Sequence, residues 1–127
     1  MEENKIHKLS PLGKTWIFDL DGTIFKHNGY KLDGKDSMLD GAKEFLDNID
    51  ENDMIIFLTS RTANEKELTE DMLKENNIRY DNIIYNAPYG ERIVVNDAKP
   101  SGLETALAIN TIRDEFMKDE FVIDESL

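Results

Sequence analysis

The run Met54-Ile55-Ile56-Phe57-Leu58 limits what this chain can fold into more than any other stretch. Five consecutive apolar residues without alternation predict a strand covered on both faces, the habit of parallel sheets flanked by helices. It stops at Thr59-Ser60-Arg61. Thr62-Ala63-Asn64-Glu65 then has the pattern of a capping box, in which hydroxyl and carboxylate satisfy the first free amides of a helix. That helix is expected to reach about Asn76 and to bury Leu68, Met72 and Leu73.

The same punctuation recurs along the chain. Residues 15–19 read as a first strand and 41–50 as a short helix whose Ala42, Phe45, Leu46 and Ile49 share one face. Tyr80–Tyr85 reads as a third strand and Arg92–Val95 as a fourth, ending at Asn96-Asp97. Pro100 and a second capping box, Ser101-Gly102-Leu103-Glu104, predict a last helix running to about Met117. Phe121, Val122 and Ile123 in the tail suit an edge strand or an oligomer contact. Strands alternating with helices predict an α/β fold, a three-layer Rossmann-like domain with a mainly parallel central sheet.

The chain of 127 residues suits one domain. Residues 1–14, polar and broken by Pro11 and Gly13, read as a leader, and 15–127 as the single domain. Residues 24–53 have room for a turn-rich flap and one helix only, so no separate cap domain is expected. His27, in the flap, reads as a solvated side chain. With no cysteine, disulfides and thiol chemistry are excluded. No apolar run is long enough to cross a membrane and no secretory h-region opens the chain, so the expected compartment is the cytoplasm. A net charge of −12 argues against nucleic acid and anionic lipid as partners.

The chemistry is expected where the apolar runs end. Thr15-Trp16-Ile17-Phe18 leads into Asp19-Leu20-Asp21-Gly22-Thr23. In an extended segment the two aspartates point the same way, roughly 7 Å apart, and Gly22 allows a sharp turn. Parallel strands bring their C-terminal ends to one rim, where ligands bind. Asp19, Asp21 and Asp97 would gather there with the hydroxyls of Thr59 and Ser60 and the cation of Arg61. Such a set suits a magnesium ion and a phosphate ester. A phosphate charge about 4 Å from a carboxylate costs on the order of 4 kcal/mol at an effective dielectric of 20, so cations must intervene.

Asp19-Leu20-Asp21-Gly22-Thr23 after an apolar strand resembles the first motif of the haloacid-dehalogenase-like phosphohydrolases. Leu58-Thr59-Ser60-Arg61 resembles the second motif and Val94-Val95-Asn96-Asp97 the fourth, over residues 15–100 and in the family's order. The resemblance implies a phosphomonoesterase that passes through an aspartyl-phosphate. Asp19 would be nucleophile and metal ligand, and Asp21 general acid/base with its carbonyl on the metal. Thr59 would bind phosphate, Asp97 would complete the Mg2+ site, and Ser60 and Arg61 would serve phosphate and substrate. The third-motif lysine has no counterpart in Asn86-Ala87-Pro88-Tyr89; Lys99 and Arg92 are the candidate substitutes, and Asn96 stands where the family has a second acid. Capless relatives act on bulky substrates or borrow a neighbour's surface, which leaves room for a homo-oligomer that closes the open site. Ile93–Pro100 is similar to sugar- and capsule-biosynthesis phosphatases, which implies a sugar phosphate or another small phosphorylated metabolite.

Two other classes compete with this reading. A non-catalytic module of the same fold agrees with the missing lysine and with Asn96. A receiver domain shares the acidic pair, a later threonine and a Lys-Pro, but no apolar run between residues 25 and 53 ends in the phospho-accepting aspartate it needs. A calcium loop is excluded, since Ile24 and Tyr30 occupy the positions that need glycine and glutamate.

Overall fold

The computed structural model describes residues 5–127. They divide into two units, one of residues 13–88 and 111–117, the other of residues 5–12, 89–110 and 118–127. In the larger unit β2 (Thr15–Phe18), β3 (Met54–Leu58) and β4 (Asn82–Ile84) form a parallel sheet in that order. Phe18 lies opposite Phe57, and Phe57 opposite Ile83. The fold is α/β with parallel strands, compatible with a Rossmann-like arrangement without a cap.

A carboxylate fixes the register of the first pair. Asp53, buried just before β3, accepts the Lys14 N–H at 2.9 Å and the Trp16 indole N–H at 3.0 Å. Asp81 does the same for the next pair, accepting the Ile55 N–H at 2.7 Å. Two short helices, α2 (Ala42–Asp47) and α3 (Lys66–Glu75), supply the connections. Their Ala42, Leu46 and Leu73 join Phe18, Ile55 and Phe57 in one apolar cluster. Trp16, Phe18 and Phe45 pack as an aromatic group, the two strand rings stacked 6.0 Å apart and Phe45 edge-on to both.

The opposite face of this sheet differs from the expectation of two covered faces. Ile17 is 53% exposed, Met54 47% and Ile84 46%. Neighbouring strands taken in one direction by right-handed crossovers put both helices on the same side, so the apolar character of β3 exceeds its burial. Helix α3 ends at Asn76 as expected, with Asn77 in the left-handed region at φ 54°. Its inward residues shift by one position: Leu68 is exposed while Thr69 is fully buried. The capping box is also altered, since the Thr62 hydroxyl accepts from Asn64 N–H and donates to Glu65 rather than leaving that carboxylate to a backbone amide.

Residues 24–40 form the expected flap. Its arms pair through Lys26 N–H to Ser37 O at 3.0 Å and Leu39 N–H to Ile24 O at 2.8 Å, and α1 (Gly29–Leu32) makes its tip. Residues 111–117 pack on the same unit: Asp114 N–H donates to Gly22 O at 2.8 Å, its carboxylate accepts His27 N–H, and Phe116 meets Phe45 at 5.5 Å.

The smaller unit holds β1 (Ile6–Leu9), inside the stretch read as a leader, and β5 (Glu120–Ile123), the strand expected of the tail; they pair in parallel. The expected fourth strand does not form. Ile93 and Val95 are 84% and 92% exposed, and among the described residues no strand takes their backbone groups. β-branched residues favour an extended chain, but a strand exists only with a partner. The expected last helix is likewise absent. Gly102 adopts φ +93° where a helix would begin, and the Thr105 hydroxyl and Asn96 amide engage the Asp97 and Thr105 carbonyls instead. Such local side-chain bonds compete with helix formation.

Phe57→Ala is expected to lower the unfolding free energy by about 3–5 kcal/mol, whereas Ile17→Ala on the bare face costs less than about 1 kcal/mol. Urea denaturation of both variants checks the pair of values.

Candidate functional site

The loops that follow β2 and β3 meet at one group, the guanidinium of Arg61. Asp19 follows the last residue of β2, and Leu20, completely buried, anchors the turn by accepting three backbone N–H bonds from residues 23–25. Gly22 sits at φ +83°, with Arg113 Cγ 3.3 Å from where a Cβ would stand, so a side chain there meets both strain and a close neighbour. Asp21 thereby faces the exit of β3. Its Oδ2 accepts from Arg61 Nε at 2.9 Å and its Oδ1 from Nη2 at 2.8 Å.

A second carboxylate takes the other edge of the same group. Asp36 accepts from Nη1 at 2.9 Å and from Nη2 at 2.8 Å, and the Thr69 hydroxyl accepts the remaining Nη1 proton at 2.9 Å. A guanidinium has five N–H donors, and here each has a protein acceptor. The guanidinium carbon also lies over two aromatic rings, 4.7 Å from the centroid of Tyr30 and 5.2 Å from that of Phe25. The side chains of Arg61 and Asp36 are 2% and 0% exposed, and that of Asp21 23%. Burial alone would lower the Arg61 pKa. Hydrogen bonds and charge from Asp21 and Asp36 outweigh it, so the pKa lies above its ordinary value and the group stays cationic.

Of the residues expected at the rim, the structure brings Asp19, Asp21, Thr59, Ser60 and Arg61 into the larger unit. Asp19 is half-buried, its Oδ2 receiving the Thr23 hydroxyl at 3.3 Å. Thr59 is fully buried; its Oγ1 accepts the Arg61 backbone N–H at 3.1 Å, and its backbone bonds Ile84 O and Ala87 N–H. It holds the turn after β3, while Ser60 beside it stays partly accessible. Arg61, expected to meet substrate, has no N–H to spare in this arrangement. Arg92, Asn96, Asp97 and Lys99 belong to the smaller unit and are exposed.

Both Asp21 oxygens already accept from Arg61, and Asp97 lies in the other unit. Among the described residues no group of three or more His, Asp or Glu side chains is arranged to hold a metal ion. The acidic set that the resemblance implies is therefore not one that the larger unit contains by itself.

Sequence reasoning missed Asp36, Thr69 and Asp114. Asp36 lies among exposed Asp33, Gly34, Lys35 and Ser37, and nothing in that local pattern separates it from them. The one signal was Thr69, a polar residue one position from the expected apolar stripe of α3. Comparison of the chain with known protein families, with curated proteins and with solved structures found no match.

Removing the guanidinium leaves two carboxylates facing each other, one of them fully buried. Arg61→Ala is expected to cost about 3–5 kcal/mol. Arg61→Lys recovers little of it, because an ammonium offers three donors from a single point in place of a planar fork. Urea unfolding of both variants checks this, and a loss below about 1 kcal/mol for Arg61→Ala would contradict the described geometry.

Proposed function

We propose that this chain is a phosphomonoesterase for a small phosphorylated metabolite such as a sugar phosphate, with Asp19 as the phosphoryl acceptor. The observation that supports it is the bidentate pair between Asp21 and Arg61, at 2.8 and 2.9 Å. That pair ties the loop after β2 to the loop after β3, so Asp19, Asp21 and Ser60 occupy the same end of a parallel sheet.

In the proposed reaction Asp21 first takes up a proton from solvent; an Asp19 carboxylate oxygen then attacks phosphorus, the bond from phosphorus to the ester oxygen breaks, and the departing oxygen takes that proton from Asp21. Water then attacks the aspartyl-phosphate and gives a proton back to Asp21. The bond between phosphorus and Asp19 breaks, and inorganic phosphate leaves with both residues restored. Each Asp21 oxygen uses one acceptor site on Arg61 and keeps another, and the side chain is open enough to reach water. The Thr23 hydroxyl orients the Asp19 carboxylate, and Ser60 is the hydroxyl available to the phosphate oxygens.

The commitment of both Asp21 oxygens to Arg61 favours a second reading, a phosphate-ester binding module of the same fold that does not turn its ligand over. One experiment separates the two. The full chain is assayed against sugar phosphates, nucleotides and a chromogenic aryl phosphate, with magnesium and with a chelator, since the family resemblance implies that ion. Turnover by the wild type is expected, with a loss of roughly 10³-fold or more in Asp19→Asn and phosphate trapped on Asp19 after acid quench. Near-normal hydrolysis by Asp19→Asn overturns the role of that residue. Binding without turnover in every condition leaves the second reading.

A further inference from the structure

We infer that Asp36 is a positioning residue: acting through Arg61, it fixes where the Asp21 carboxylate points. The guanidinium is planar and rigid, and its two long edges are occupied by different carboxylates. Nε and Nη2 hold Asp21; Nη1 and Nη2 hold Asp36. Because Nη2 donates to both, the orientation of one carboxylate cannot change without disturbing the plane that holds the other.

Charge balance alone does not account for Asp36. Asp21 already matches Arg61 one to one, so adding a second, fully buried carboxylate leaves the cluster one unit negative. Burying that extra charge is unfavourable, and what it supplies is geometric. Without Asp36, Thr69 would still accept one Nη1 proton, but one N–H on each Nη would be left unpaired in a buried place. Unpaired buried donors on a charged group are costly. The side chain would relieve them by turning toward water, which draws Nε and Nη2 away from Asp21.

The flap takes part in the same contact. Phe25, Tyr30 and Asp36 all belong to it, and all three touch the Arg61 guanidinium, two through their rings and one through its carboxylate. The flap is thus seated on the cation that orients the proposed acid/base, and Asp36 is the link that supplies direction as well as contact.

The test reads the Arg61 Nε proton, which donates to Asp21 and not to Asp36. In the full chain its nitrogen-15-resolved signal is expected to be protected from solvent exchange. In Asp36→Asn exchange should quicken by about tenfold or more. The kinetic arm rests on the phosphatase reading: kcat for an aryl phosphate should fall by roughly tenfold to a hundredfold with KM within about twofold. Should Asp36→Asn fail to fold, Asp36→Glu keeps the charge, displaces it by one methylene, and is read at the same proton. An Nε proton equally protected in wild type and variant overturns the inference, whatever the activity. Absence of turnover in the wild type defeats the phosphatase reading alone, and the exchange measurement still decides on Asp36.

Discussion

The rim of the larger unit is built around one fully engaged cation. All five N–H groups of Arg61 reach protein oxygens, and the guanidinium also lies over the rings of Tyr30 and Phe25. Removing an ion from water costs several kcal/mol even after relaxation. That cost is offset only because every bond is charge-assisted or well aligned, and it makes the arrangement selective. The turn after β2 delivers Asp21, the turn after β3 Arg61 itself, helix α3 Thr69, and the flap Phe25, Tyr30 and Asp36, all to the same small volume. A polar cluster of this kind adds less to net stability than to uniqueness, since any other packing of these four segments leaves a buried charge unpaired.

The sheet beneath the rim is simpler in its energetics. One face carries the aromatic group of Trp16, Phe18 and Phe57 against α2 and α3, and the other remains partly open at Ile17, Met54 and Ile84. Two carboxylates, Asp53 and Asp81, hold the strands in step by accepting backbone N–H groups at the entry to each pair. The strands are short, three to five residues, so a slip of one position would both invert the apolar face and orphan these acceptors.

The parts of the molecule that local pattern governs were legible in the sequence. The apolar runs at 15–18 and 54–58, the helix that ends at Asn76 and the turn at Gly22 all follow from periodicity, length and backbone freedom. The parts that depend on a distant partner were not. Ile93-Val94-Val95 has the composition of a strand, yet pairing is a property of two segments and, among the described residues, no neighbour takes it up. Ile6–Leu9 reads as part of a polar leader and becomes a strand because residues 120–123 lie beside it. Asp36 and Asp33 are alike in sequence. Only the long-range meeting with Arg61 buries the one, while the other stays at the surface beside Lys26.

The indole of Trp16 adds a consequence of a different kind. It is the sole tryptophan, and its N–H is bound to the carboxylate that joins the beginnings of β2 and β3. The tryptophan fluorescence of this protein therefore reports on that seam. Its emission follows whether those two strands are zipped together.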